Sequence, residues 1–136
     1  QNDMRCTRRE QHCDEEGWKS SFWARVSYKP CCDKFNLLEA LVWFRNLIDA
    51  NTAPRGQEKE FWFFPIYGTL LGSIREGDII EHDGDIDIVV PYERLDWLDQ
   101  LMKAHVMDVD PPYVWERTAT VSKLYLSSFN SHHIDV

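Results

Sequence analysis

The chain has 136 residues, 43% of them hydrophobic and 13% aromatic, enough for one domain with a packed core. Its net charge of −8 supplies no basic stripe to displace counterions, which excludes a general nucleic-acid binder. No segment approaches the roughly 18 consecutive apolar residues of a membrane-spanning helix, and the opening QNDMRCTRRE is polar rather than leader-like.

Residues 1–33 are polar and hold all four cysteines, Cys6, Cys13, Cys31 and Cys32. Little periodicity shows there, which fits a module held by metal or cross-links. A tetrahedral Cys₄ zinc site would use two thiolates from each cysteine pair. Two disulfides are the alternative in an oxidising compartment, and spacing alone leaves both open. Asp33 is placed to cap a helix from about Lys34 to Ala50. Leu37, Leu41, Phe44 and Ile48 form its apolar face, with Leu38 and Val42 beside them.

A charged loop, NTAPRGQEKE, follows over residues 51–60. Phe61 to Tyr67 reads as an aromatic strand broken near Pro65, in which Trp62, Phe63 and Phe64 are core residues. Thr69 to Glu76 fits a short helix closed by Gly77. Asp85 to Val90 is a strand ended by Pro91, and Tyr92 to about His105 an amphipathic helix with Leu95, Leu98 and Met102 inside. Tyr113–Glu116, Val121–Leu126 and His132–Val136 are further strands. The pattern predicts an α+β fold, a mixed β-sheet with flanking helices. Because the chain stops inside the last strand, it is expected to be a piece of a longer domain, with any membrane anchor outside it.

The chemistry concentrates between Tyr67 and Val90. Small residues (Gly68, Thr69, Gly72, Ser73) precede the acids Glu76, Asp78, Glu81, Asp83, Asp85 and Asp87. Such crowding is costly unless a cation sits among the carboxylates. For Glu76–Asp83 taken alone, a solvated surface loop is the favoured explanation. It explains Asp85 and Asp87 poorly, because they alternate with Ile86 and Ile88 and so share one face of a strand. An EF-hand fails: its obligatory glycine would fall at Ile88 and its bidentate glutamate at Arg94. An Asp-x-Asp alone also leaves nucleotide-sugar glycosyltransferases open.

The spacing decides. Leu71-Gly72-Ser73 followed, after residues 74–84, by Asp85-Ile86-Asp87-Ile88 resembles the nucleotidyltransferase superfamily. In that arrangement backbone N–H groups and the Ser73 hydroxyl hold phosphate oxygens while the paired acids hold Mg²⁺. Asp135, alternating with Ile134 and Val136, is expected to complete the site as a third ligand or as the base. His132 and His133 flank it, one of them able to line the pocket. Trp115 is a candidate to stack on a cytosine.

The longer string Gly-Thr-Leu-Leu-Gly-x-x-Arg-x-Gly-x-Ile-Ile-x-x-Asp-x-Asp-x-Asp, matched over residues 68–87, resembles the LicD/fukutin family. The pattern Cys6-x6-Cys13 with Pro30-Cys31-Cys32 resembles the zinc module of its fukutin-related branch. The resemblance implies residues 1–33 as a zinc module and 34–136 as the N-terminal part of an incomplete nucleotidyltransferase-like catalytic domain. It implies metal-dependent transfer (Mg²⁺ or Mn²⁺) of a polyol phosphate, ribitol 5-phosphate first, from a CDP-linked donor such as CDP-ribitol to a glycan or glycoprotein hydroxyl, releasing CMP. Asp83, Asp85, Asp87 and Asp135 would be the catalytic acids, with Asp85, Asp87 and Asp135 as metal ligands. Gly68, Thr69, Gly72, Ser73 and Arg75 would bind the donor, and Cys6, Cys13, Cys31 and Cys32 would hold structural zinc. It further implies a type II membrane protein of the Golgi lumen, with a homo-oligomer among the expected assemblies. Phosphocholine or glycerol-phosphate transfer, and a non-catalytic scaffold keeping the fold, are the alternatives. His82 before Asp83, Gly84 after it, and the insert Pro54–Lys59 depart from the family pattern.

Overall fold

The computed structural model describes residues 8–9, 32–52, 61–80 and 83–136. Most of the expected zinc module, including Cys6, Cys13 and Cys31, falls outside them, as do Glu81, His82 and the Pro54–Lys59 insert. Cys32 enters as the first residue of helix α1, Cys32–Asn51, so Asp33 lies in its first turn rather than capping it. Leu37, Ala40, Phe44 and Ile48 are fully or almost fully buried along one stripe of α1, while Val42 is 57% exposed. The inward face is therefore narrower than the composition of the helix suggests.

Strand β1 (Phe64–Pro65) leads at once into helix α2 (Tyr67–Arg75). Pro65 has no N–H to donate and Tyr67 adopts a left-handed φ of 50°, so the expected seven-residue strand shrinks to an edge fragment. Strand β2 is Asp85–Val89. A 3₁₀ turn, Tyr92–Arg94, leads into helix α3, Leu95–His105. Strands β3 (Val114–Arg117), β4 (Ser122–Ser127) and β5 (Asn130–Asp135) complete the described residues.

The five strands form one sheet in the order β1-β2-β5-β4-β3. Only β2 and β5 run parallel; the other neighbours are antiparallel. The mixed α+β sheet expected from the sequence is present. Its two faces differ sharply. Ile86, Ile88, Leu124, Leu126 and Ile134 point to one side and, with the α1 stripe and Leu98 and Met102 of α3, make the core. Each such side chain contributes about 1.5–3 kcal/mol by leaving water. Period-two alternation then forces Asp85, Asp87, Lys123, His133 and Asp135 onto the opposite face.

Three local devices fix this frame. Asp99 of α3 is buried; it accepts the indole N–H of Trp115 at 2.8 Å and pairs with Lys103 at 2.8 Å. Burial pushes its carboxyl up, but the bonds from Lys103 and Trp115 more than offset this and hold it below the usual carboxylate range. The Trp115 N–H is thereby committed to the α3 contact. Arg8 donates to the Leu126 carbonyl at 3.0 Å and lies over the Tyr113 ring. Lys34 of α1 pairs with Asp78 at 2.8 Å, so this acid belongs to a structural contact and its carboxyl is held low by that bond.

Candidate metal centre

The parallel ladder between β2 and β5 sets the site. Asp85 lies opposite His133, Ile86 opposite Ile134, and Asp87 opposite Asp135. Asp85 and Asp87 are two residues apart on one strand, and His133 and Asp135 two apart on the next, so four donors share one face. One carboxylate oxygen of Asp85, one ring nitrogen of His133 and one oxygen of Asp135 lie within 4.8 Å of one another. That spacing is compatible with ligands around a single cation.

Electrostatics point the same way. Burial, the charges of Asp85 and Asp135, and a hydrogen bond with Asp135 push the Asp87 carboxyl above the usual range, with His133 partly opposing. The Asp135 Oδ1 atom is shut from solvent and has no hydrogen bond of acceptable geometry. Lys123 Nζ and His133 Nε2 both approach it to 3.3 Å without supplying one. An enclosed carboxylate oxygen without a hydrogen bond is expensive unless a cation meets it; the Lys123 ammonium does so here, and with Asp85 and His133 alongside the residues present also fit a divalent ion. The orientation of the imidazole is compatible with the same role. His133 Nδ1 lies 2.8 Å from the Ser131 carbonyl, a contact that requires an N–H donating from Nδ1. Nε2 is then left with its lone pair, as in a metal-binding histidine held by a backbone carbonyl.

The remaining sequence-predicted residues are placed unequally. Asp83 stands at the start of α2, where a Cβ on Gly68 would come within 3.2 Å of its Oδ2. Thr69 Oγ1 accepts the Asp87 backbone N–H at 2.8 Å, and the Ile66 N–H donates to the Asp87 carbonyl at 3.0 Å. These bonds hold β2 against the turn into α2, so Thr69 positions Asp87. Gly72 and Ser73 do not form a turn. They lie inside α2, where the Ser73 hydroxyl donates to the Leu70 carbonyl at 2.8 Å and its side chain faces a cleft floored by Ile86 and Ile88 on the core side. Gly72 is buried for packing: a Cβ there would stand 2.6 Å from the Asp78 carbonyl. Backbone N–H groups for an anion are thus available at the start of α2, near Gly68, rather than at Gly72-Ser73. The N-cap residue Ile66 offers them no side-chain bond. Arg75 lies about 10 Å further along the helix axis, exposed and loosely paired with Glu76.

Two members of the site were not singled out as ligands from the sequence. His133 had a signal, since it lies two residues before Asp135 in a strand and must share its face. Lys123 had only the alternation with Leu124 and became visible through its register opposite Asp135. His132 points to the other side, where its Nδ1 meets the Gly84 carbonyl at 2.8 Å. A Cβ on Gly84 would clash with that ring at 2.8 Å, which accounts for the small residue between Asp83 and Asp85. Beside Asp87 and Asp135 a cleft of about 460 Å³ opens, with Tyr67 and Tyr92 in its lining.

A family model described as LicD/FKTN/FKRP, nucleotidyltransferase domain, matches residues 61–136, more than half of the chain. The chain belongs to the LicD family. The matched span runs from just before β1 through β5 and contains every acid of the site. A search of curated proteins found no match. LicD membership points to a transferase of the phosphotransferase type.

Proposed function

We propose that this LicD protein transfers a polyol phosphate, ribitol 5-phosphate first, from a CDP-linked donor to a glycan hydroxyl, with release of CMP. The observation that carries the reading is the β2/β5 register, which gathers Asp85, Asp87, His133 and Asp135 beside an open cleft and the start of α2. Asp85, Asp87 and Asp135 would hold Mg²⁺ or Mn²⁺, with His133 as a further donor. When bound, the ion would neutralise phosphate charge and align an in-line displacement.

The chain's own residues do the rest. N–H groups in the first turn of α2, near Gly68, are placed to meet a phosphate oxygen. Tyr67 and Tyr92, 78% and 84% exposed at the cleft, offer the donor's base a stacking surface. The acceptor oxygen attacks the polyol-linked phosphorus, the bond to the CMP oxygen breaks, and the hydroxyl proton passes to a carboxylate lining the cleft. Asp87 and Asp135 both line the cleft; Asp87 is a metal ligand, and Asp135 is the third ligand or the proton acceptor. Structural zinc on Cys6, Cys13, Cys31 and Cys32, and residence of a longer membrane-anchored form in the Golgi lumen, belong to the same proposal.

The test is CMP release from CDP-ribitol, CDP-glycerol and CDP-choline with Mg²⁺. Release from CDP-ribitol in preference to the others is expected. Preference for CDP-choline or CDP-glycerol would move the assignment within the family. Nucleotide binding without release from any donor would point to a scaffold.

A further inference from the structure

Lys123 is a cation aimed into the acid cluster of an acidic protein. The β4/β5 register sets it opposite Asp135 on the site face. Its Nζ lies 3.3 Å from Asp135 Oδ1 and 3.3 Å from His133 Nε2. Because His133 Nδ1 donates to the Ser131 carbonyl, Nε2 is the lone-pair nitrogen, and the ammonium is its donor. The three residues whose donor atoms fit one ion are Asp85, His133 and Asp135. Lys123 therefore sits against one polar atom of each of two of those three residues, Asp135 Oδ1 and His133 Nε2. A divalent ion sits about 2.0–2.2 Å from nitrogen and carboxylate ligands, and an ammonium cannot keep both contacts beside it.

We propose that Lys123 and a divalent cation are alternative occupants of Asp135 Oδ1 and His133 Nε2, and that the displaced ammonium binds the phosphate of the nucleotide. The inference rests on the metal-centre reading above. The side chain is suited to the exchange: 29% exposed, on a flexible four-carbon stem, and next to the open cleft. Lysine is a strongly hydrated point charge that binds phosphate without needing a fixed fork geometry. Its cross-strand neighbour on the other side, Glu116, is the competing resting place for the ammonium. The exchange means that metal loading and phosphate binding are coupled through one side chain.

Calorimetric titration of the full chain with Mn²⁺, and then with CMP at saturating Mg²⁺, tests this in wild type, Lys123→Met and Lys123→Gln, with far-UV circular dichroism to confirm folding. Removing the competing ammonium is expected to tighten Mn²⁺ binding about fivefold, the scale of a partly screened ion pair. CMP binding is expected to weaken by a similar factor. Unchanged or weaker Mn²⁺ binding in both folded variants overturns the exchange. Tighter Mn²⁺ with unaltered CMP binding overturns the phosphate role and sends the ammonium to Glu116. An Asp85→Asn control separates the two levels: wild-type Mn²⁺ binding that ignores this change refutes the metal centre itself, whatever Lys123 does.

Discussion

Replacing Asp87 with asparagine should stabilise the protein in EDTA and destabilise it, relative to wild type, in Mn²⁺. Burial and the neighbouring Asp85 and Asp135 hold the Asp87 proton more tightly in the folded chain than in the unfolded one. A carboxyl with a raised folded pKa favours folding while protonated. As pH rises from its ordinary value of 3.8 through the raised value, that contribution is lost, and at pH 7 its charge opposes folding. Neighbouring carboxylates repel by about 1 kcal/mol each in a largely aqueous dielectric, so relief of about 1 kcal/mol is expected after screening. For a chain of this size that is a rise of about 2–4 °C in Tm. At a hundredfold excess over Kd, a bound ion stabilises wild type by about 2.7 kcal/mol, and the variant should lose most of this. Thermal denaturation at pH 7 in EDTA and in Mn²⁺, repeated near pH 3, reads the effect directly. The two curves should exchange order on adding metal and converge in acid. A variant less stable than wild type in EDTA, or one that Mn²⁺ stabilises equally, would refute the reasoning.

Gly72→Ala gains about 1 kcal/mol in helix propensity, yet its Cβ would meet the Asp78 carbonyl at 2.6 Å. A net loss of about 1–2 kcal/mol in urea unfolding is expected, and a stabilised variant would show that the loop after α2 yields freely. Asp99→Ala leaves the Trp115 N–H without its acceptor and should cost about 1–3 kcal/mol. Since the folded carboxyl of Asp99 is held low, its contribution is present above 3.8 and disappears as pH falls through the lowered value. The gap between variant and wild type should therefore close in acid, and a gap independent of pH would contradict that origin. His133→Ala should reduce any preference for Mn²⁺ over Mg²⁺, because imidazole suits the transition metal better; identical selectivity in competition titrations would remove His133 from the ligand set.

The sequence announced the sheet because its strands alternate. Ile86 and Ile88 between Asp85 and Asp87, and Ile134 before Asp135, separate a core face from a polar one without reference to the rest of the chain. The helices were equally legible in extent, since the stripe Leu37–Phe44–Ile48 needs only local spacing. What did not show was which strand lies beside which. Pairing of β2 with β5 joins residues far apart in the chain, and no local signal reports that Lys123 will face Asp135. The Gly-Ser pair misled for a related reason. A small residue can mean a turn, a phosphate contact or close packing, and at Gly72 the deciding neighbour is the Asp78 carbonyl, visible only once the loop folds back.

The central claim is that acids from two parallel strands share one divalent ion. Crystals soaked in Mn²⁺, with diffraction collected at the manganese absorption edge, address it in one experiment. The claim predicts an anomalous peak among Asp85, His133 and Asp135, with Lys123 withdrawn from it. A peak elsewhere, or none at those side chains under saturating Mn²⁺, would contradict it.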